Sequence, residues 1–249
     1  IPVVSTLMGI GVMDANHPLY LGMLGLHGWP AANMAVNNCD LLLCMGARFD
    51  DRATGSVPGF APNATVVHID IDPAEIGKNA PSQVPIVGDI HMILTELLHK
   101  MEACDRSGWL KELEPYRAMR DKVYPQDEDP NKLTARAVMQ AISRITEGKA
   151  IMTTDVGQHQ MTAAQFYEIQ KPGRFISSGG LGTMGYGLSA AVGAQMAAPN
   201  DLVICITGDG SFQMNMAELA TAKEQRLPIK VILFNNNCPT PLFLVFLLT

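Results

Sequence analysis

No cluster of lysine and arginine occurs in the 249-residue chain, and the net charge is −6. A nucleic-acid partner needs a basic face to meet phosphates, so that class of function is excluded. No Cys-x-x-Cys pair occurs either. The five cysteines (Cys39, Cys44, Cys104, Cys205, Cys238) are odd in number and scattered. Three lie in apolar runs and read as reduced core residues, which argues against a disulfide framework and for a cytoplasmic setting. Ile1-Pro2-Val3 has neither a charged start nor an initiator Met, so a secretory leader is not expected and the chain reads as beginning inside a longer protein. The apolar tail, residues 238–249, is too short to span a bilayer. Charged residues make up 17% of the chain against 47% hydrophobic, which excludes disorder and permits one large or two ordinary domains.

What is present is organised around residues 202–237. An apolar run rich in β-branched residues leads into Gly208-Asp209-Gly210-Ser211. A helical stretch over 213–226 follows, then a second apolar run over 228–234, then Asn235-Asn236-Asn237. Two such runs predict buried strands of a parallel sheet covered on both faces. Parallel strands end on the same edge, where ligands bind. Asp209 and the asparagine cluster therefore become neighbours, although 27 positions separate Asp209 from Asn236. Carboxylate and amide oxygens suit Mg²⁺, which completes its shell with phosphate and water. Gly208 and Gly210 allow close backbone approach to a phosphate. The pattern predicts a Mg²⁺–diphosphate site; the plainer alternative is a βαβ turn in which Asp209 caps the next helix.

The rest of the chain alternates strands and helices. Strands are predicted near residues 2–6, 40–45, 65–71, 84–87 and 150–154, and helices over 31–38, 90–101 and 134–145. Residues 102–132 are polar and carry Pro115, Pro125 and Pro130, which predicts a linker with one helix over 109–122. The fold class is thus α/β, with two doubly wound parallel-sheet domains. The first covers residues 1–103, the linker 104–132, and the second domain 133–249. Arg48 and Arg52 could clamp a phosphate, and Asp70 ends a strand where an acid meets a ribose hydroxyl. The same loop could equally be a solvated, self-paired one. Gly180-x-Gly182-x-x-Gly185 is a nominal dinucleotide fingerprint, which keeps an NAD-binding oxidoreductase as an alternative.

Gly208-Asp209-Gly210 followed by the asparagine cluster resembles the thiamine diphosphate motif of the thiamine-dependent decarboxylase and carboligase superfamily. The resemblance implies that Asp209, Asn236 and the Cys238 carbonyl hold Mg²⁺, with Gly210 and Ser211 at the cofactor. It further implies that Gly157, Gln158 and His159 approach the diphosphate, and that Gly182 and Met184 touch the cofactor. Met184 would be the apolar prop that bends it; core filling is the alternative for that side chain. Upstream, Thr6-Leu7-Met8-Gly9, residues 21–28, residues 46–52 and residues 68–78 together are similar to the FAD-binding central domain of the acetolactate (acetohydroxyacid) synthase family. By that resemblance Thr6, Leu7, Met8 and His27 line a flavin. So do Gly46, Arg48, Asp50 and Arg52 in the next loop, and Asp70, Ile71, Glu75, Asp89 and Ile90 beyond it.

The implied activity is decarboxylation of pyruvate and carboligation to a second 2-keto acid. Pyruvate would give 2-acetolactate and 2-ketobutyrate would give 2-aceto-2-hydroxybutyrate, early steps toward branched-chain amino acids. Thiamine diphosphate, Mg²⁺ and a structural FAD are the implied cofactors. A homodimer or tetramer, with a small regulatory subunit, is the implied assembly. The family's activating Glu belongs to an N-terminal domain upstream of Ile1, so no catalytic residue is expected here. The family pattern stops at Asn237, where Cys238-Pro239-Thr240-Pro241 and the apolar tail replace a helix. The chain alone is therefore expected to be an inactive, truncated cofactor-binding segment.

Overall fold

The structure, a computed structural model, describes residues 1–123, 133–235 and, as backbone, 242–247. It divides into two compact units. One holds Ile1–Thr6 and Leu21–Pro125, the other Leu7–Tyr20 and Gln126–Thr249.

In the first unit β1 (Val3–Ser5) and β2 (Tyr20–Met23) form a two-stranded sheet. Then come α1 (Pro30–Asn38), β3 (Leu41–Met45), α2 (Asp51–Thr54), β4 (Thr65–Asp70), β5 (Val84–Val87), α3 (Ile90–Lys100), α4 (Ser107–Ala118) and α5 (Arg120–Val123). Strands β3, β4 and β5 pair in parallel, with β4 central. The helix starts are local chemistry. Pro30 stands at the first position of α1, where its fixed φ suits a helix and its missing N–H is not needed. Asp50 caps α2 by accepting from Ala53 N–H, and Asp89 caps α3 by accepting from Met92 N–H. The small core gathers Cys44, Phe49, Val66 and Ala80. Phe49 meets the His68 ring edge-on at 4.8 Å. The helix expected over 109–122 is divided here into α4 and α5, with Pro115 inside α4; a proline removes one helical N–H and crowds the preceding turn.

The second unit contains α6 (Ala135–Thr146), β6 (Ile151–Thr154), α7 (Gln158–Phe166), β7 (Phe175–Ser177), α8 (Tyr186–Ala197), β8 (Val203–Gly208), α9 (Asp209–Asn215), α10 (Glu218–Glu224), β9 (Lys230–Asn235) and β10 (Leu242–Leu247). The sheet runs β10-β9-β8-β6-β7. Strands β7, β6, β8 and β9 are mutually parallel, and β10 is an antiparallel edge strand on β9. An antiparallel edge on a parallel sheet is a common variation. The proline-bearing tail had been expected only to avoid a helix, and its apolar run 242–247 pairs as a strand.

Every residue of β6 and β8 is buried, as two covered faces require. Val203, Cys205 and Val231 pack with Leu188, Ala191 and Val192 of α8 and Ala222 of α10. Met152, Ile204 and Ile206 alternate to the other face and are also buried; α6 and α7 lie together against that part of the unit. The helix expected over 213–226 starts earlier, at Asp209, and is interrupted after Asn215. There Leu219 N–H bonds to Met216 O and Ala220 N–H to Ala217 O, a tightened i→i+3 turn between α9 and α10. No helix among the described residues is long and apolar enough to cross a membrane.

Candidate functional site

Register puts three strand ends on one edge of the second unit. Thr154 pairs with Ile206, and Gly208 pairs with Phe234. The chain therefore leaves the sheet at Asp155, Asp209 and Asn235 on the same side. A cavity of about 440 Å³ opens there. Its wall brings together Gly157, Gln158 and His159, then Met184, then Asp209, Gly210 and Ser211, seven of the residues expected at a thiamine cofactor. Gly182 is set back, with φ +76° and Val156, a wall residue, as its neighbour. Asn236 and Cys238, the other expected Mg²⁺ ligands, lie outside the described residues; Asn235, just before them, is in the wall.

Two glycines make the cavity possible. A Cβ on Gly157 would stand 2.8 Å from His159 Cε1, and one on Gly208 would stand 2.9 Å from the same atom. The imidazole is thus packed against two backbones, and a side chain at either glycine would force it to shift. His159 is 8% exposed, and its Nε2 has no hydrogen-bond partner among the described residues. Burial lowers its pKa, against the upward pull of Asp155 and of Asp209.

Helix α7 begins at Gly157 with no side-chain cap, so its first N–H groups end at the cavity wall. Peptide dipoles add partial positive charge there, which favours an anion such as a diphosphate. Asp209 is exposed in the first turn of α9 and does not cap it; Gly208 holds the cap position without a side-chain bond. The turn-capping alternative for Asp209 is not realised, and its carboxylate stands in the first turn of α9, where a negative charge suits the helix dipole. The Met184 methyl lies 3.7 Å from where a Gly210 Cβ would stand, so this side chain reaches across to α9 and is 44% exposed, unlike a core filler. Ser211 is 2% exposed and donates to the Val156 carbonyl at 3.2 Å, which fixes the wall from within.

Sequence reading missed Thr134 and Thr162, which also line the cavity, whereas Asn235 belongs to the asparagine cluster expected there. Thr134 was legible as a helix cap, since its hydroxyl accepts from Ala137 N–H; nothing local signals that a cap also borders a site. It also missed the role of Asp155, a strand-end carboxylate that is 1% exposed.

The expected flavin residues are arranged differently. Gly46, Asp70, Ile71, Asp89 and Ile90 meet at the C-terminal edge of the three-stranded sheet. Gly46 N–H donates to Ile69 O, Gly88 N–H donates to Asp70 O, and a Gly46 Cβ would be 3.1 Å from Ile90 Cδ1. Gly46 has φ +65°, and Ile71 is 70% exposed beside it. Most polar members are engaged locally. Arg48 pairs with Asp50 at 3.8 Å, Asp50 and Asp89 cap helices, and Asp70 Oδ1 accepts from Asp72 N–H. Glu75 pairs with Lys78 at 2.8 Å. The self-paired alternative for the 48–52 loop is thus realised for Arg48 and Asp50. The Arg52 carbonyl accepts from Leu26 N–H, next to exposed His27. Thr6 follows β1, whereas Leu7 and Met8 belong to the other unit and pack beside Gly179. A second cavity, about 380 Å³, is lined by Leu24, Asn33, Asp51 and Phe60 among others and includes none of the expected flavin residues.

The dinucleotide alternative loses its anchor. A Gly-x-Gly-x-x-Gly loop binds a diphosphate on the N-terminus of the following helix, here α8. That end is occupied: Gly185 N–H donates to Asp155 Oδ1 at 2.7 Å.

Two models of the thiamine pyrophosphate enzymes match the chain. Residues 1–97 match the thiamine pyrophosphate enzyme central domain, and residues 155–239 match the thiamine pyrophosphate enzyme C-terminal TPP binding domain. The chain is 51% identical over 245 residues to the acetolactate synthase large subunit of Cyanidium caldarium, covering 95% of this chain and 41% of that protein. It is 46% identical over 243 residues to the acetolactate synthase isozyme 3 large subunit of Escherichia coli K12, covering 95% and 42%. A probable acetolactate synthase large subunit of Methanocaldococcus jannaschii is 46% identical over 243 residues, covering 95% and 41%. The chain spans about two fifths of the length of the curated relatives it matches.

Proposed function

Because the chain belongs to the thiamine pyrophosphate enzyme family, we propose that it supplies the cofactor-binding part of an acetolactate synthase catalytic subunit. In this reading the second unit binds thiamine diphosphate with Mg²⁺, and the first holds a structural FAD. The reaction is decarboxylation of pyruvate and transfer of the two-carbon unit to a second 2-keto acid, pyruvate or 2-ketobutyrate. The catalytic subunits pair or form tetramers, work with a small regulatory subunit and act in the cytoplasm. The single observation that carries the reading is the cavity at the β6, β8 and β9 ends, which joins Gly157–His159, Met184 and Asp209–Ser211.

The residues fit the cofactor. The α7 N-terminus offers N–H groups to the diphosphate, and His159 stands beside it. Asp209 offers hard carboxylate oxygens to Mg²⁺, with the amide of Asn236 and the carbonyl of Cys238 as its proposed companions. Gly208 and Gly210 keep the approach to the phosphate clear. Met184 presents a flexible apolar surface for the bent cofactor to rest on. When bound, thiamine diphosphate supplies an acidic C2 carbon and an electron sink for the decarboxylation. The chain's residues hold and orient that group. For FAD, the sheet edge with Gly46 at positive φ and exposed Ile71 leaves room for a backbone approach and an apolar face. In this reading Asp70 and Arg52 would meet ribose and phosphate.

The test is a graft. Residues 1–235 replace the matching stretch of the Escherichia coli isozyme 3 large subunit, and acetolactate formed from pyruvate is measured. Retained synthesis, lost on Asp209→Ala, supports the reading. A folded graft that binds thiamine diphosphate but makes no acetolactate from pyruvate rejects the synthase assignment.

A further inference from the structure

We infer that Asp155 is the positioning residue of the cofactor cavity, a buried carboxylate that ties its three walls together. Each wall comes from a different stretch of chain. The first is the Gly157–His159 turn, the second the loop carrying Gly182 and Met184, the third Gly208–Ser211. Asp155 is bound to all three. Oδ1 accepts from Val156 N–H at 3.2 Å, at the root of the first wall. The same oxygen accepts from Gly185 N–H at 2.7 Å, directly after Met184. Oδ2 accepts from Thr207 Oγ1 at 3.2 Å, directly before Gly208. A hydrogen bond from His159 to the Asp155 backbone completes the link to the first wall.

The surroundings leave Asp155 no other use. It is 1% exposed and is not part of the cavity wall. The helix it caps is pressed onto it: a Cβ on Gly187 would stand 2.7 Å from Asp155 N, and Thr153 Oγ1 donates to Gly187 O at 2.9 Å. A buried carboxylate is tolerated only when hydrogen-bonded, and here the donors are the wall segments themselves. Its charge also occupies the positive end of α8, a helix of 12 residues. The starts of α7 and α9, which have no side-chain cap bond, border the cavity instead. Asp155 thus sets both the shape of the cavity and which helix end faces it. Asn215 supports the same loop, its Nδ2 donating to Gly185 O at 3.0 Å.

This rests on the thiamine diphosphate reading, and two measurements on the full chain separate the two claims. The first is amide hydrogen exchange without ligand in wild type, Asp155→Ala, Asp155→Asn and Thr207→Val. Asp155→Ala speeds exchange at least tenfold in residues 182–187 while the β8 and β9 amides stay slow. Asp155→Asn keeps an acceptor oxygen for Gly185 and stays within about threefold of wild type. Equal exchange in wild type and Asp155→Ala overturns the proposal, and so does uniform acceleration across the unit in both Asp155→Asn and Thr207→Val, which would mark a merely structural residue. The second is calorimetric binding of thiamine diphosphate with Mg²⁺. Asp155→Ala raises Kd about tenfold or more and Asp155→Asn restores most of the loss. Wild-type binding with an unchanged Kd in Asp155→Ala overturns the positioning role alone. No wild-type binding overturns the thiamine reading, and the exchange experiment still decides what Asp155 does.

Discussion

The two parallel sheets of this chain are built alike and buried unlike. Strands β6 and β8 are buried at every residue. Strand β5 has no buried residue, and β3 has one, Cys44. Helix α3 beside them buries none of its residues, leaving Met92 69% and Leu98 73% exposed. The candidate sites follow that contrast. Where the sheet is covered on both faces, rigid strand ends hold polar atoms that their own segments do not satisfy, such as His159 Nε2. Where the sheet is open, the candidate residues cap helices and pair with near neighbours. Burial, by fixing the strand ends, converts a motif into a cavity.

The comparison is tested most strongly at Asp209. Asp209→Ala removes the only described side chain proposed as a metal ligand, and Mg²⁺-dependent thiamine diphosphate binding weakens by about a hundredfold or more in calorimetry. Flavin binding, followed by fluorescence quenching, stays unchanged. A mutual effect would mean that the two units do not work as separate sites. Next is Gly208→Ala, at a residue whose φ is −102°, so the change is steric alone. The new methyl meets His159 and costs about 1–3 kcal/mol of stability or roughly tenfold in thiamine diphosphate affinity. Adding His159→Ala relieves the clash and recovers stability in thermal melts.

A third effect is smaller and depends on pH. His159 is buried with its pKa lowered, so the unfolded chain binds its proton more readily than the folded one. By linkage, its contribution to stability is level above about pH 6.5 and declines as the pH drops below that value. Melting curves from pH 7.5 to 5 therefore fall more steeply for wild type than for His159→Gln. The smallest effect belongs to the open sheet. Arg48 and Asp50 form an exposed pair, so Arg48→Ala changes stability by less than about 1 kcal/mol in urea unfolding. A larger loss would show that this loop is as firmly built as the cavity walls.

Much of the second unit was legible because its signals were local and redundant. Strands at 151–154 and 203–208 announce themselves as apolar β-branched runs, and parallel topology then puts Asp155, Asp209 and Asn235 on one edge. Gly208 and Gly210 were readable as places of close approach. Gly208 also makes room for the His159 ring, and that needed coordinates, since 49 positions separate Gly208 from His159. Asp155 was visible as a strand end but not as a link, because its donors Gly185 and Thr207 lie 30 and 52 positions away. The helix start at Asp209 was missed because a Gly-Asp-Gly run reads as a turn, while burial of Ser211 pulls it into the first helical turn. In the first unit, Asp50 and Asp89 carry cap signatures that read equally well as ligands. Pattern alone cannot separate a carboxylate that caps from one that binds.

The most direct test of a thiamine diphosphate site built by the second unit's own residues is amide hydrogen exchange of the whole chain, with and without thiamine diphosphate and Mg²⁺. Slowed exchange confined to residues 155–162, 182–189 and 206–212, with residues 21–123 unchanged, is the predicted result. Protection appearing in residues 21–123 instead, or none anywhere at saturating cofactor, would contradict it.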